Sequence, residues 1–473
     1  MMILTNTEQL TGYAPLRKIA EAYTPSVQNK SRNSTHTWVL AASLVALISA
    51  VVLVVQLQPA FEQLHAQRIS TAWGTAIVWS GSILLAISTS FLAYITLLFF
   101  KYKPIEGVSN ELLPTCTVIV PAYNEGSLVY KTLLSLVDND YPSHKIQILA
   151  IDDGSKDDTW EWMKRAKNEL GDRISVFQQP KNMGKRHALY RGINLATGDV
   201  IVTVDSDSIV KYDTLRNLVS PFVKDHTCGA VAGNVRVLNK KSMIAKMLNV
   251  SFVFSFEFVR SAQSALGSVF CTPGALAAYR KDAVMACLPQ WINQTFMGQK
   301  SDIGEDRAMT NMILKQGYKV LFQRNALVWT NVPDAYKQLY KMYVRWERSN
   351  VRENIAMAKF AYTNFREGNK LGTRILLSYQ WLRMLMAIPL TLLMVFLVLT
   401  HPILFISSAL VGILIFTSVQ VFFYGKKHNN IVEALWAYPY SLLFTFALFW
   451  ITPYSIFTVK KNGWLTRTLP AKV

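Results

Sequence analysis

Three features of the 473-residue chain predict an α/β domain inserted between membrane-spanning helices. Its middle alternates short β-branched runs with helical patterns, and each run ends in a polar, often acidic, loop. On both sides lie uncharged apolar runs long enough to cross about 30 Å of hydrocarbon. The chain is 51% hydrophobic with a mean hydropathy of +0.20, yet carries 49 Lys+Arg against 30 Asp+Glu, a formal charge of +19. A basic chain this apolar is expected at a membrane, turning its positive side to anionic lipid and anionic substrate. Nucleic acid is not an expected partner, because the basic residues cluster beside the apolar runs and no binding module is recognisable. The four cysteines, Cys116, Cys228, Cys271 and Cys287, are scattered and form no CxxC pair. That pattern implies neither a zinc site nor a disulfide framework, and fits a reducing compartment.

Residues 1–36 are polar and read as a flexible cytoplasmic arm. No apolar core sits at the extreme N-terminus, so no cleaved signal peptide is expected there. Residues 37–100 read as a hairpin of two spans, 38–57 and 76–100. Positive charge precedes the first span and follows the second at Lys101 and Lys103, which places both ends in the cytoplasm. Residues 101–332 read as a cytoplasmic α/β domain. Strands are expected at 116–121, 146–151, 174–177 and 199–204, with helices between them, in a parallel sheet covered on both faces. The basic, apolar stretch 240–267 reads as an interfacial helix or a buried one. Residues 333–370 are expected to form amphipathic interfacial helices, with Tyr336, Tyr340 and Tyr343 on one face amid Lys337, Lys341, Arg345, Arg348 and Arg352. Residues 371–459 hold two more spans, 375–399 and 403–424, and a third run interrupted by Pro439 and Pro453. That run is expected to be broken or re-entrant. Residues 460–473 form a basic tail, expected to be cytoplasmic.

The chemistry centres on Asp199-Val200-Ile201-Val202-Thr203-Val204-Asp205-Ser206-Asp207, a buried strand ending in two carboxylates. Ligands of open α/β sheets bind beyond the carboxyl ends of the strands. Two hard oxygen ligands beside a phosphate would suit Mg²⁺ or Mn²⁺.

Further pieces extend this reading. Val118-Ile119-Val120-Pro121-Ala122-Tyr123-Asn124-Glu125, Asp152-Asp153-Gly154-Ser155 and Asp205-Ser206-Asp207 resemble the nucleotide-sugar half of family-2 inverting glycosyltransferases of the GT-A fold. Gly184-Lys185-Arg186 is similar to the pattern of hyaluronan and chitin-oligosaccharide synthases, and Thr272-Pro273-Gly274-Ala275-Leu276 with Tyr279-Arg280 resembles their acceptor-side loop. Gly304-Glu305-Asp306-Arg307 resembles their catalytic-base motif, and Arg345-Trp346 the end of their processive QxxRW motif. Met342 stands where that motif has Gln. Trp464-Leu465-Thr466-Arg467 is similar to their WGTR gating loop, with Leu465 in place of Gly.

The resemblance implies a processive enzyme that polymerises UDP-sugars, UDP-GlcNAc and/or UDP-GlcA, onto a growing polysaccharide and moves the product across a plasma or inner membrane. Asp152 or Asp153 would bond uracil or ribose, and Asp205 would face the ribose. Asp207 would hold the Mg²⁺ or Mn²⁺ that bridges the phosphates, and Lys185 and Arg186 would reach the nucleotide. Asp306 is the expected general base, taking a proton from the acceptor hydroxyl as it attacks the anomeric carbon opposite the diphosphate. Arg345 would contact the leaving diphosphate, Trp346 would stack on an acceptor sugar, and Trp464 and Arg467 would close over the donor. Two alternatives remain: a non-processive enzyme acting on a lipid carrier, and an inert scaffold of a secretion complex. The sequence does not name the sugar.

Overall fold

The structure, a computed structural model, describes residues 34–462. The N-terminal arm, apart from its last residues, and the Trp464–Arg467 motif lie outside the described residues. The described chain opens with three helices, α1 (Ser34–Gln56), α2 (Gln58–Ile69) and α3 (Ala72–Lys101). The α/β domain then runs β1 (Cys116–Ala122), α4 (Leu128–Val137), β2 (Ile146–Asp152), α5 (Thr159–Leu170), β3 (Ser175–Gln178), α6 (Lys185–Leu195), β4 (Val200–Thr203), β5 (Ser208–Val210), α7 (Thr214–Lys224) and β6 (Cys228–Val237). A helical stretch follows as α8 (Met243–Phe252), a π-helical turn (Val253–Val259) and α9 (Arg260–Ala265). Next come β7 (Ala277–Arg280), α10 (Lys281–Ile292), a small ribbon of β8 (Thr295–Phe296) and β9 (Gln299–Lys300), α11 (Glu305–Lys315) and β10 (Lys319–Thr330). The remainder is helical: α12 (Tyr336–Ala361), α13 (Leu371–Thr400), α14 (Pro402–His428), α15 (Ile431–Ala434), α16 (Ala437–Ala447) and α17 (Ile451–Phe457).

Eight strands form one sheet in the order β3-β2-β1-β4-β7-β6-β10-β5. The four strands around β1 are parallel, as the alternation of strands and helices implies. The whole sheet is mixed rather than parallel. β7 runs antiparallel between β4 and β6, and β5 runs antiparallel to β10. The pattern of the first half of the domain does not extend to β7, which arrives from the 268–276 loop without a crossover helix.

Strand residues alternate between two cores, following the period of two. Val118, Val120, Ile148, Ala150, Val200 and Val202 pack on one side with α4, α5 and α7. Ile119, Leu149, Ile151 and Ile201 pack on the other side with α6, α10 and α11. Both faces are covered, so the β-branched runs need no polar side.

Four helices, α1, α3, α13 and α14, are long and apolar enough to cross a membrane, at the positions of the expected spans. The fifth run is the bent pair ending in α16 and α17, turned by 46°. Pro439 and Pro453 each sit in the first turn of their helix, where a missing N–H costs little. The break falls at residues 448–450. The α8–α9 stretch packs between the sheet and the apolar helices. There Glu257 receives Arg236 from β6 and Lys427 from α14.

Candidate active site

The loops after β1, β2 and β4 converge at the carboxyl end of the parallel strands. Asp152 and Asp153 end β2 and are 0% and 2% exposed. Asp152 accepts hydrogen bonds from the Ser155 amide and hydroxyl and from Gln178 Nε2. Asp153 accepts from the amides of Met183 and Gly184 and from Gln179 Nε2 at 2.6–3.0 Å. Burial pushes the Asp153 carboxyl up to about 6 although these donors favour its ionised form. The two carboxylates thus shape the 153–155 and 182–184 loops. Gly154, at φ +69°, passes so close to Lys181 that a Cβ would lie 2.6 Å from its carbonyl carbon.

Gly184 ends its loop at φ +95° and starts α6. The first two residues of α6 then part company. Lys185 turns inward, where its ammonium bonds Asp205 Oδ1 and lies 3.3 Å from Glu305 Oε1. Burial opposes its charge, but Asp205 and Glu305 overcome that cost and hold the ammonium above its ordinary range. Arg186 makes its hydrogen bonds elsewhere, on α10 and the residues that follow it. It is 4% exposed, donates to the Trp291 carbonyl and Gln294 Oε1, and stacks 5.1 Å from the Trp291 ring.

Asp205 and Asp207 are partly exposed on either side of buried Ser206. Thr330, the last residue of β10, donates to Asp207 Oδ1 at 3.1 Å. Gly274 of the 272–276 loop lies directly against Lys185, since a Cβ there would fall 2.6 Å from Nζ.

Asp306 lies in the first turn of α11, beside Glu305. Its carboxylate accepts the Arg307 amide at 2.7 Å and the Cys271 thiol at 3.7 Å. Burial and then Glu305 raise its pKa above the ordinary carboxylate value, with Lys185 pulling the other way. The Cys271 thiol is itself pushed up to about 12 by burial and Asp306, so it stays a donor. Thr272 and Thr310 tie the loop to α11 through a 2.8 Å contact. Lys185, Gly274, Tyr279, Trp291, Glu305 and Asp306 line a common cleft.

Helix α12 backs this cleft. Gly304, at φ +77°, abuts Ser349. Arg345 is partly buried one helical turn before Ser349, on the same face. Trp346 is 37% exposed and its ring meets Phe252 at 6.1 Å and Tyr343 at 5.7 Å. Met342, at the Gln position of the motif, is buried. The tyrosine face of α12 packs on the bent pair: Tyr336 donates to the Ala447 carbonyl, Tyr340 meets Trp450, and the Tyr343 and Tyr440 hydroxyls are 2.9 Å apart. Arg348 and Arg352 clamp the chain after α17 through Thr458 and the carbonyls of Val459 and Lys461.

Glu305, Cys271 and Gly274 were not singled out as site residues from the sequence. Glu305 had one signal in the sequence, its place beside Asp306. Cys271 and Gly274 had only the likeness of the surrounding loop.

Among the described residues no group of three or more His, Cys, Asp or Glu side chains could hold a metal alone. The donor set still fits a divalent cation shared with phosphate. Asp205 and Glu305 share the Lys185 ammonium, Asp306 adjoins Glu305, and Asp207, two residues beyond Asp205, is a further hard oxygen donor. Mg²⁺ and Mn²⁺ commonly take one or two carboxylates and complete their shell with phosphate and water.

A mixed α/β domain with acidic strand-end loops, joined to apolar helices, defines the class of protein. The model for "Glycosyltransferase like family 2" matches residues 114–349, and the chain belongs to that family. An N-acetylglucosaminyltransferase of Rhizobium meliloti (strain 1021) is 34% identical over 270 residues, covering 55% of this chain and 63% of that protein. A hyaluronan synthase of Streptococcus pyogenes is 30% identical over 273 residues, covering 56% of this chain and 64% of that protein. The chain thus matches less than two thirds of the length of these relatives. A mannosyltransferase of Pyrobaculum calidifontis, solved with GDP-Man and Mn²⁺, aligns with a TM-score of 0.48 and 20% identity, covering 77% of this chain and 98% of that one.

Proposed function

We propose that this chain is a processive inverting glycosyltransferase. It would polymerise UDP-sugars, UDP-GlcNAc and/or UDP-GlcA, and pass the product across a cell membrane from a cytoplasmic active site. The carrying observation is the cluster of Lys185, Asp205, Glu305 and Asp306 beside a helix, α12, whose aromatic face packs on the bent apolar pair. Relatives named for N-acetylglucosaminyl transfer and hyaluronan synthesis support the choice of donors. Lys101, Arg374, Lys426 and Lys427 all sit at span ends on the side of the α/β domain, which favours a cytoplasmic domain.

In the reaction, Asp306 takes the proton of an acceptor hydroxyl. The oxygen attacks the anomeric carbon from the face opposite the diphosphate. A glycosidic bond forms, the bond from carbon to the phosphate oxygen breaks, UDP leaves, and the anomeric centre inverts. A raised pKa suits this base, since proton transfer is most efficient when the pKa approaches the working pH. Lys185 and Arg345 stabilise the leaving diphosphate. Asp207, with Asp205 beside it, would hold Mg²⁺ or Mn²⁺, whose charge neutralises the departing phosphates. Asp152 and Asp153 act through the loops they brace, toward the uracil and ribose, and Arg186 holds α6 in place. Trp346 offers its exposed ring to an acceptor sugar. Trp464 and Arg467 would close over the donor.

The test is purified protein in sealed vesicles, oriented with the α/β domain outward and given a panel of radiolabelled UDP-sugars. The proposal expects long polymer inside the lumen. Single-sugar products, or polymer confined to the nucleotide side, would contradict processive translocation.

A further inference from the structure

Arg307 follows the candidate base directly and is 5% exposed. Its guanidinium donates to Asn350 Oδ1, and from Nη2 to Asn354 Oδ1 at 2.7 Å and to Gln380 Oε1 at 3.0 Å. Asn350 and Asn354 are one turn apart on α12, whereas Gln380 belongs to the apolar helix α13. One side chain therefore ties α11 to the helix of Arg345 and Trp346 and to a candidate membrane span. Three amide oxygens receive it, and among the described residues it makes no direct ion pair. Such a buried charge is costly unless its hydrogen bonds are well made. A planar fork of donors suits this three-way contact, and a lysine ammonium on a flexible stem does not reproduce it.

The link reaches the base through the backbone. The amide of Arg307 is itself a donor to Asp306 Oδ1, at 2.7 Å. Any shift of Arg307 toward or away from α12 moves that donor and the carboxylate with it. One turn further along α11, Asn311 Nδ2 donates to the Glu353 carbonyl and to its carboxylate at 2.9 and 2.8 Å. Glu353 also receives Gln294, the residue that Arg186 holds from the donor side. Among the described residues, the side-chain hydrogen bonds of Arg307 and Asn311 join the base helix to α12, and those of Arg307 continue into α13.

We propose that Arg307 is a positioning residue that registers Asp306 against the acceptor helix α12 and the span α13. The proton acceptor is thereby set relative to the mouth through which the product leaves. This inference rests on the glycosyltransferase reading above.

The experiment uses the full chain in lipid nanodiscs, with UDP-GlcNAc as donor and UDP binding measured separately by calorimetry. Arg307→Lys keeps the charge and loses the fork. It is expected to lower kcat about tenfold or more with KM for the donor and UDP affinity unchanged, because small misplacements of reacting groups cost rate rather than binding. Gln380→Ala leaves both bonds to α12 and serves if Arg307→Lys does not fold. It is expected to lower kcat in the same direction, and the double variant to be no slower than Arg307→Lys alone, since the two residues act through one link. Unchanged kcat in both variants overturns the inference, as does UDP affinity that falls in step with kcat, the mark of general loosening. Wild-type protein that binds UDP but transfers no sugar from any UDP-sugar overturns the glycosyltransferase reading instead.

Discussion

Replacing Gly304 by alanine tests how closely the base loop must approach α12. Gly304 has φ +77° and ψ 34°, the left-handed region, and caps the start of α11 two residues before Asp306. An L-residue there costs about 1–2 kcal/mol in backbone strain. A Cβ would also fall 1.9 Å from Ser349 Oγ and 2.8 Å from Ser349 Cβ. Rotating the hydroxyl relieves the first contact but not the second. The remaining 2.8 Å against the 3.4 Å of ordinary contact leaves a shortfall of about 0.6 Å, which α11 must take up by retreating. A misplacement of about 1 Å near reacting groups can cost on the order of 100-fold in rate, so a loss of about tenfold in kcat is expected. The assay is sugar transfer from UDP-GlcNAc beside thermal unfolding in detergent. Adding Ser349→Gly removes the clash and leaves the backbone strain. The double variant should therefore regain most of kcat while keeping the lowered melting temperature. A single variant with wild-type kcat, or a double variant that recovers no more rate than the single, would refute the close-approach argument.

Other outcomes follow from the same geometry. Asp306 works as a base only when ionised, and its pKa lies above the ordinary carboxylate value, so kcat/KM should fall on acidification at a higher pH than for an ordinary Asp. Lys185 opposes that rise, so Lys185→Gln should move the acid limb to still higher pH, read from a pH–rate profile. Chelation of divalent ions should weaken UDP binding in calorimetry, Mn²⁺ or Mg²⁺ should restore it, and Asp207→Asn should behave like the chelated wild type. Trp346→Ala removes a stacking surface worth on the order of 1 kcal/mol. The growing chain should dissociate several-fold more often, giving a shorter product ladder on a gel at similar donor KM.

The parts of the fold that repeat a simple pattern were legible from residues alone. Val118 to Val120 and Val200 to Val202 alternate between two cores, and β-branched runs of that length between helical patterns leave little else to form. The apolar helices are legible because hydrocarbon demands uncharged length. The antiparallel insertion of β7 was not legible, because Ala277–Arg280 is short and its pairing with β4 and β6 depends on a loop path. In the site, Asp205 could be singled out as a carboxylate at a strand end, and Asp306 through the likeness of Gly304-Glu305-Asp306-Arg307 to a catalytic-base motif. The meeting of Asp205 with Glu305, the neighbour of Asp306, through Lys185 is a long-range contact that no local spacing encodes. Lys185 and Arg186 show the limit most plainly. Adjacent in sequence and both basic, they diverge because successive helix residues point about 100° apart, one toward Asp205 and the other toward Trp291. The spacing of Tyr336, Tyr340 and Tyr343 makes them one face of a helix, and they are one face of α12. Its partners, Ala447, Trp450 and Tyr440, depend on the bend of the last apolar run, which no local spacing encodes.

The central claim is that Asp306 removes the acceptor proton in a site that already holds the donor. Asp306→Asn keeps the shape of the side chain and removes its basicity, so it separates chemistry from binding. In purified, vesicle-reconstituted protein the substitution should cut sugar transfer by about 10²–10⁴-fold while UDP affinity stays at the wild-type value. Polymer output at the wild-type rate from that variant would contradict the account.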